Sequence, residues 1–172
     1  MPLDQNEIEE LYEQLEKPVY NVIYRWVWDS EEARDIVQET FIRLWRIRHK
    51  VIPETVQPLI YRIALNLAAN RRRSKRIWRW VTLESLREEQ SKNNHSRIEY
   101  ETIERDKNVR RAVNALPEHL KRVVLLSEFS ELKYEQIAQC LGIPSGTVAS
   151  RRNKALQLLH KKLAHIMDES YE

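Results

Sequence analysis

The segment 146–167 carries several Lys and Arg side chains and neither Asp nor Glu, so its chemistry suits contact with a polyanion. It follows the turn 142–145, in which Gly142 can adopt the positive φ that such turns usually need. Ser145 is a predicted N-cap, because its hydroxyl can accept a hydrogen bond from a free N–H group of the next helix. A helix that begins with small polar residues and carries only positive charge fits the DNA major groove. The alternative is an ordinary helical hairpin with a solvated basic face.

A second basic cluster lies near the end of a predicted helix, 59–75, in the first half of the chain. Asn66 and Asn70 lie one turn apart on one face of that helix, and Trp78 and Trp80 interleave with the basic residues. Lys and Arg neutralise phosphates, Asn can pair with exposed base edges, and aromatic rings can stack on unpaired bases. The cluster therefore predicts a second nucleic-acid contact, with a solvated helix end as the alternative. Its basic members are Arg71, Arg72, Arg73, Lys75, Arg76 and Arg79.

Residue patterns typical of catalysis or of a metal site are absent from the sequence. Asp35 and Glu39 stand four residues apart, as paired carboxylates in a metal site can, but no His accompanies them at ligand spacing. The five His residues form no ligand pattern, and there is no Gly-rich phosphate loop, serine elbow or Cys–His nucleophile signature. We therefore expect no enzymatic activity, no metal and no cofactor.

The composition of the 172-residue chain favours an all-α protein, because it contains only two Gly and few β-branched runs. The formal net charge of +3 is modest, so the distribution of charge is more informative than the total. The single cysteine, Cys140, excludes a disulfide framework and is expected to pack as a small apolar residue. An acidic N-terminus without an apolar core predicts no signal peptide, and no stretch is long and apolar enough to span a membrane. A cytoplasmic protein is expected.

The pattern of apolar residues predicts two small helical domains, 1–79 and 105–172, joined by a polar linker, 80–104. Ser30 is a predicted N-cap after a break at Asp29. Pro18 is expected near a helix start or at a kink. Helices are predicted at 3–16, 31–46, 59–75, 105–115 and 118–129, and a helix-turn-helix at 134–161. A further apolar stretch runs from 19 to 27.

Three stretches resemble the sigma factors of bacterial RNA polymerase. The chain resembles sigma region 2 in EEARDIVQETFIRLWR (31–46), and the promoter-melting part of that region in PLIYRIALNLAANRRR (58–73). It resembles region 4 in LPEHLKRVVLLSEFSELKYEQIAQCLGIPSGTVASRRNKAL (116–156). Having only these two regions and a short linker is typical of the extracytoplasmic-function (ECF) group, so the sequence is identified as a member of that group.

The resemblance implies contacts with core RNA polymerase, through its β′ and β subunits, and with promoter DNA. It also implies an anti-sigma factor, which in many members is bound to the membrane, and no small-molecule substrate. The residues implied to contact core polymerase are Asp35, Gln38, Glu39, Leu44 and Trp45. The residues implied to bind the −10 element as a melted non-template strand are Tyr61, Arg62, Asn66, Asn70, Arg71, Arg72 and Arg73. The residues implied to bind the −35 element as duplex DNA are Tyr134, Ser145, Thr147, Ser150, Arg151, Asn153 and Lys154.

The −35 candidates on the second helix of the hairpin cannot all face bases, because a helix rotates by about 100° per residue. Ser150, Asn153 and Lys154 share one i, i+3, i+4 stripe, so they are predicted to reach base edges. Arg151, together with Tyr134 from the preceding helix, is better placed for phosphates. This division predicts that substitutions in the stripe alter the preferred −35 sequence.

Three positions depart from the pattern of the family. Leu59 stands where many members have Trp, Ala149 where Lys or Arg is common, and Arg152 where an apolar residue is usual. The last two lie on the recognition helix, so they bear on which −35 sequence is preferred and not on DNA binding itself. The methyl group of Ala149 could touch a thymine methyl.

Two other functions fit part of the sequence. A stand-alone helix-turn-helix regulator would use 134–161 but leaves 31–73 without a purpose, and stable 1:1 binding to core polymerase separates this possibility from a sigma factor. A helical enzyme with a basic substrate groove would need a nucleophile or a metal set, which the sequence lacks. Hydrolysis or transfer activity in the purified protein would support that reading.

Overall fold

The structure is a computed structural model that describes residues 3–81 and 97–169. Over those ranges the chain forms α-helices and short 3-10 turns and no β-strand, which confirms the predicted all-α class. Two 3-10 turns, Arg48–Lys50 and Pro53–Thr55, lie between the predicted helices 31–46 and 59–75. The helices are α1 (Gln5–Val27), α2 (Ser30–Ile47), α3 (Val56–Val81), α4 (Arg97–Asn114), α5 (Glu118–Phe129), α6 (Tyr134–Leu141) and α7 (Ser145–Glu169).

Two helices next to the predicted linker are longer than the sequence pattern indicates. α3 continues to Val81 beyond its predicted end at residue 75, and α4 begins at Arg97 and not near residue 105. Arg, Lys and Glu are strong helix formers, so a charged run extends a helix as readily as it ends one. Most of the predicted linker 80–104 lies outside the described residues, as do the side chains of Trp78 and Trp80.

The first helix, α1, is continuous from Gln5 to Val27. It begins with a capping box in which the carboxylate of Asp4 accepts from the N–H of Glu7, and the carboxylate of Glu7 accepts from the N–H of Asp4, both over 2.8 Å. Pro18 lies inside this helix and does not separate two helices. The buried face of α1 packs against α2 and α3.

The break before α2 lies where the sequence predicts it, but its capping residue differs. The carboxylate of Asp29 accepts from the N–H of Glu32 over 2.9 Å, so Asp29 and not Ser30 is the N-cap. A carboxylate at this position also interacts favourably with the partial positive charge of the helix N-terminus. From there α2 turns Ile36 and Leu44, both fully buried, towards α1 and α3.

The turn between α6 and α7 confirms the predicted role of Gly142, which has a φ of 65°. Ser145, by contrast, is the first residue of α7 and not its N-cap. The carbonyl oxygen of Pro144 accepts from the N–H groups of Thr147 and Val148 over 3.0 and 3.2 Å. Pro144 therefore occupies the cap position, because its carbonyl accepts the first bonds of the helix.

The buried apolar residues of the two halves form one continuous core. α1 packs on α5, and α3 packs on α6. At this junction the buried hydroxyl of Tyr61 donates to the carbonyl oxygen of Ser130 over 2.9 Å. Cys140 is buried as predicted, and burial raises the pKa of its thiol to about 12. The packing sets α5 and α6 against the polar face of α3 that is predicted to bind DNA.

Candidate nucleic-acid and polymerase interfaces

The predicted base-reading stripe of α7 lies on the protein surface. Ser150, Asn153 and Lys154 are all exposed. The hydroxyl of Ser150 donates to the carbonyl oxygen of Thr147 over 3.1 Å, which leaves the hydroxyl oxygen free to accept from an exocyclic amine of a base. On another side of the helix Val148 is fully buried, so apolar packing holds α7 while the stripe faces outwards. This arrangement is compatible with insertion of α7 into a major groove.

The remaining −35 candidates surround that stripe. Ser145 is exposed at the start of α7, while Thr147 and Arg151 are half-buried. Tyr134 begins α6 and is exposed. Ala149 is half-buried beside Ser150. The structure thus places six of the seven sequence-predicted −35 residues on the first turns of α7, and the seventh, Tyr134, at the start of α6.

Arg152 faces the neighbouring helix α5. Its Nε lies 2.8 Å and its Nη2 2.7 Å from the Oε1 of Glu128. The hydrogen bond to Glu128 also raises the pKa of the Arg152 guanidinium. An arginine at a position that is usually apolar is therefore used to position α7 on α5, a role that the sequence alone did not indicate.

The outer face of α2 carries the polar residues that are predicted to contact polymerase. Asp35 and Gln38 are exposed, and Glu39 is half-buried. Arg43 donates from its Nε to Glu39 over 2.7 Å, and this bond lowers the pKa of the Glu39 carboxyl. Leu44 is fully buried, so its side chain is not accessible to a partner and instead supports the helix from below.

An apolar cleft between α1 and α2 adjoins this polar face. Tyr12, Ile42 and Trp45 line it, and each is 39% exposed. The ring of Tyr12 meets that of Phe41 edge to face with centroids 4.9 Å apart, and the guanidinium of Arg48 lies 3.8 Å from the centroid of Trp45. From the sequence, Trp45 was predicted to contact core polymerase, whereas Tyr12 and Ile42 were not named as candidate contacts. The sequence did contain a signal for Ile42. It lies three residues before Trp45, and both residues fall outside the stripe of positions that α2 buries.

A cleft between α2 and α3 joins the polymerase face to the basic end of α3. Lys75 lies 2.6 Å from Glu32, and Arg71 lies 3.9 Å from Asp35. Asn70 lines the same cleft and is exposed. Two of the basic side chains that sequence reasoning assigned to DNA are therefore also neighbours of carboxylates on α2.

The N-terminal part of the predicted −10 set lies beneath the C-terminal half. Arg62 donates from its Nε to the carbonyl oxygen of Cys140 over 2.8 Å, and its Nη2 donates to the carbonyl oxygen of Gln139. The side-chain oxygen of Asn66 accepts from the Nη1 of Arg122 over 3.2 Å. Tyr61 is fully buried. These three side chains are thus occupied by α5, α6 and the residue after α5.

The rest of the predicted −10 set is more open. Arg72 and Arg73 are exposed, and Arg73 lies 3.8 Å from the carboxylate of Glu118 on α5. The structure therefore divides the seven predicted −10 residues into three that are bonded to the C-terminal half, of which Tyr61 is buried while Arg62 and Asn66 are exposed, and four further along the helix.

A buried lysine, Lys121 on α5, was not predicted as a notable residue. Its Nζ donates to the carbonyl oxygen of Trp26 over 3.1 Å and to the side chain of Asn114 over 3.0 Å, and it lies 4.5 Å from the ring centroid of Trp26. Burial lowers the pKa of Lys121 to about 7, with a contribution from the charge of Arg72 that Glu118 opposes. The sequence did contain a signal that Lys121 is buried. It lies one residue after Leu120 and three before Val124, and both of these residues are buried.

Residues 3–81 and 97–169 lack two further features, a metal-binding cluster and a membrane-spanning helix. It contains no group of three or more His, Cys, Asp or Glu residues arranged to hold a metal ion. None of the helices in the described ranges is long and apolar enough to cross a membrane.

Two family models match the chain, one for each half. Residues 11–77 match Sigma-70 region 2, and residues 106–159 match Sigma-70 region 4. The first match contains most of α1, all of α2 and most of α3, and the second contains α5, α6 and the recognition stripe of α7. A helical fold with these two regions defines an RNA polymerase sigma factor of the sigma-70 family.

Curated relatives place the chain more narrowly. It is 31% identical over 168 residues to the ECF RNA polymerase sigma factor SigE of Mycolicibacterium smegmatis, a match that covers 94% of this chain and 63% of SigE. It is 31% identical over 163 residues to the RNA polymerase sigma-H factor of Pseudomonas aeruginosa, covering 88% of this chain and 83% of that protein. With SigW of Bacillus subtilis, an ECF sigma factor, the identity is 28% over 170 residues, covering 93% and 90%. The chain belongs to the ECF group of sigma factors.

Solved structures with low sequence identity share the fold. The chain is similar to the sigma factor RpoE from Bartonella quintana, solved in complex with the anti-sigma factor NepR, with a TM-score of 0.69 and 16% identity over 92% of this chain and 98% of that one. It is also similar to CnrH, solved with the cytosolic domain of CnrY, with a TM-score of 0.66 and 17% identity over 96% and 90%.

Proposed function

We propose that this ECF sigma factor directs core RNA polymerase to promoters through three surfaces, one on each of α2, α3 and α7. The observation that carries the proposal is the presence of three surfaces of different chemistry: a basic surface in each half, and a face on α2, adjoining the basic end of α3, that combines carboxylates with an apolar cleft. The domain limits proposed for this division of labour are 1–79 and 105–172, with the linker 80–104 between them.

The outer face of α2 is the proposed docking site for core polymerase. Asp35, Gln38 and Glu39 supply polar contacts, and Trp45 and Ile42 supply apolar area beside them. Interfaces of this kind place aromatic anchors within a ring of polar groups that excludes water. Leu44 supports this face from within.

The proposed −10 site lies on α3, next to the segment 46–58. Arg71, Arg72 and Arg73 supply phosphate contacts, while Asn66 and Asn70 read exposed base edges. A base that has left the stack is readable on its Watson–Crick edge, and a pocket near 46–58 would receive it. Tyr61 and Arg62 complete this site when the backbone carbonyl groups of Ser130, Gln139 and Cys140 that now accept their hydrogen bonds are withdrawn.

The proposed −35 site is the exposed stripe of α7. Ser150, Asn153 and Lys154 approach base edges in the major groove, and Arg151 and Tyr134 contact phosphates on either side. The ion pair of Arg152 with Glu128 fixes the direction of the stripe relative to α5. Ser145 and Thr147 at the start of the helix add hydroxyl groups near the backbone.

An anti-sigma factor is a proposed regulatory partner of the chain. This proposal draws on two proteins of similar fold, which were solved with NepR and with the cytosolic domain of CnrY. We further propose that the protein works in the cytoplasm, where it can be held at the inner membrane by such a partner, and that it has no enzymatic activity of its own.

The test of the proposed function is transcription in vitro with purified core polymerase on a library of genomic promoters. We expect a discrete set of start sites that share two elements at −10 and −35, and a stable 1:1 complex with core. Binding to duplex DNA without any complex with core polymerase would instead support a stand-alone helix-turn-helix regulator.

A further inference from the structure

A groove between α1, α3 and α4 collects cationic side chains that the three proposed surfaces leave mostly unassigned. The groove also touches the start of α2, and its volume is about 410 Å³. Sites for small molecules typically have volumes of about 300–1,000 Å³. We call it the interhelical groove, and the side chains of its lining that bear on its chemistry are Trp26, Glu32, Arg72, Lys75, Arg110 and Asn114.

The polar side chains of the groove come in pairs from two helices. Arg72 and Lys75 are three residues apart on α3, and Arg110 and Asn114 are four apart on α4, so each pair shares one face of its helix. Among the described residues of the lining Glu32 is the one acid, and its carboxylate lies 2.6 Å from the Nζ of Lys75. The lining therefore carries an excess of two positive charges.

Two buried groups next to the groove are hydrogen-bond donors. Lys121 is 1% exposed, and its Nζ donates to the carbonyl oxygen of Trp26 over 3.1 Å and to the Oδ1 of Asn114 over 3.0 Å. Both acceptors are neutral, and both belong to residues that line the groove. The indole Nε1 of Trp26 is buried and has no hydrogen-bond partner among the described residues. An ammonium and an indole N–H can only donate, so this side of the groove favours a negatively charged occupant.

The cations around the groove are close enough to act on one another. Burial is the main cause that lowers the pKa of Lys121 to about 7, and the positive charge of Arg72 is the next, while Glu118 opposes the shift. A nearby positive charge disfavours a second one, whereas a negative charge favours it. An anion in the groove would therefore offset the repulsion between Arg72 and Lys121, and the packed helices would gain stability when it binds.

We propose that the interhelical groove is a binding site for a small phosphate-bearing anion, held by Arg72 and Lys75 from α3 and by Arg110 from α4. Guanidinium groups suit phosphate because their N–H groups can donate to two of its oxygens at once. A phosphate monoester carries a charge of about −1.5 to −2 at neutral pH, which matches the excess charge of the lining. The site differs from the proposed −10 surface because it needs α4, although Arg72 belongs to both.

Two sources of this chemistry differ in what else they bring to the groove. An inorganic anion such as pyrophosphate would use the cations alone. A nucleoside diphosphate would also place its sugar or base against the half-buried side chain of Val27, which lines the groove. The phosphate groups are common to both, so the two sources are separated by comparing their affinities.

The experiment titrates the full chain, without DNA or polymerase, by isothermal titration calorimetry at physiological salt. The ligands are pyrophosphate, adenosine diphosphate and adenosine. We expect one site per chain for the two phosphate compounds and no binding of adenosine. Tighter binding of adenosine diphosphate than of pyrophosphate would identify a nucleotide as the better ligand, and equal or weaker binding would identify an inorganic anion.

Variants on α4 test whether the anion binds in the groove. Arg110→Gln should weaken the binding of pyrophosphate about tenfold or more, because a charge-assisted bond is lost, and Arg110→Lys should retain part of the affinity. The matched control is Arg111→Gln, which removes the same charge from the adjacent exposed residue of α4 outside the lining. It should change the affinity by less than about twofold, because solvent and salt screen exposed charges at a distance. Circular dichroism and binding of a −35 duplex should be the same for the wild type and all three variants.

A second readout locates the bound anion. The assigned indole N–H signal of Trp26 in the NMR spectrum should shift at saturating pyrophosphate, whereas that of Trp45, in the cleft between α1 and α2, should not. Three results would each overturn the inference: no binding of either phosphate compound, an equal loss of affinity in Arg110→Gln and Arg111→Gln, or an unchanged Trp26 signal at saturation.

Discussion

The guanidinium of Arg71 on α3 lies 3.9 Å from the carboxylate of Asp35 on α2, so the proposed −10 surface and the proposed polymerase surface meet at this pair. The side chain of Arg71 is 37% exposed and that of Asp35 is 69% exposed. An exposed pair of this kind contributes about 0–1 kcal/mol to stability. Substitutions at either residue should therefore report on binding and leave the fold intact.

The first prediction concerns the polymerase face. The double substitution Asp35→Arg with Glu39→Arg should abolish the complex with core polymerase, because it reverses charge at two polar contacts, and loss of one such contact typically costs about 2–5 kcal/mol when it is desolvated. Co-purification with core polymerase measures the effect, and circular dichroism checks the fold. The matched control is Glu9→Arg with Glu13→Arg, which makes the same charge change at the same spacing on the exposed side of α1. Normal recovery of core by the α2 variant would remove α2 from the interface.

The second prediction separates phosphate contacts from base contacts on α3. Arg72→Ala should weaken −10 binding for all sequences and reduce the salt slope of binding by about one unit, because one phosphate contact is lost. Asn66→Ala should instead alter the preferred −10 sequence. Salt titrations of oligonucleotide binding and permanganate reactivity of thymines in the open complex measure the two effects. Lys17→Ala, an exposed cation on α1, serves as the control and should leave the slope unchanged.

The third prediction follows from the buried ammonium of Lys121. Its pKa in the folded chain is lowered from 10.5 to about 7, first by burial. Below pH 7 the amine is charged in the folded and the unfolded chain, so the cost of burying the charge is constant. Between about pH 7 and 10.5 the unfolded chain binds a proton that the folded chain has lost, so the free energy of unfolding rises with pH, by up to about 1.4 kcal/mol per unit.

The measurement compares urea unfolding of the wild type with that of Lys121→Met at several pH values from 6 to 9.5. Methionine keeps an unbranched stem that is one heavy atom shorter and removes the titrating group, so the difference between the two proteins isolates Lys121 from other groups that titrate in this range. We expect the wild type to gain stability relative to the variant as pH rises above 7. Parallel curves over the whole range would show that the lysine is not held in the folded chain as the structure places it.

Particular elements show which features the sequence carried and which it did not. Apolar periodicity identified α2 and the helix-turn-helix, and the positive φ of Gly142 followed from the chemistry of the turn. The caps of α2 and α7 were predicted one residue away from where they lie, because adjacent residues such as Asp29 and Ser30 can both accept the capping bond. The local sequence pattern identifies a break between two helices more reliably than it identifies the residue that caps the second helix.

Contacts between the two halves were beyond the reach of sequence pattern. The bonds of Tyr61 to Ser130 and of Arg62 to Cys140 join residues that are 69 and 78 positions apart. A basic residue on a predicted DNA-binding face has the same local signature whether it meets a phosphate or a helix carbonyl. The choice between the two partners depends on how the halves pack, which periodicity within one helix does not encode.

The fourth prediction concerns the position of α7. Arg152→Ala should weaken −35 binding although Arg152 faces α5, because the pair with Glu128 sets the direction of the base-reading stripe. The exchange Arg152→Glu with Glu128→Arg should restore part of the loss, whereas Arg151→Ala should not be rescued by any change at Glu128. A double-mutant cycle on −35 duplex affinity measures the coupling, which we expect to be about 0.5–1 kcal/mol for a partly exposed pair. A coupling of zero would mean that the two side chains act independently.

The fifth prediction concerns which residues of α7 read the −35 element. Asn153→Ala and Lys154→Ala should each relax selection at one or two base pairs, because a good base contact is worth about 1–3 kcal/mol of discrimination. Ala149→Arg should change the preferred sequence and not simply tighten binding, since a long donor would then lie beside Ser150, where the wild type has only a methyl group. The measurement is a selection on duplexes with a randomised −35 element, run in parallel with the wild type, these three variants and one control variant. Arg151→Ala is the control, because a phosphate contact should lower affinity without altering the selected sequence. If the wild type and the variants at Asn153, Lys154 and Ala149 all select the same sequence, another surface of the protein must read the −35 element.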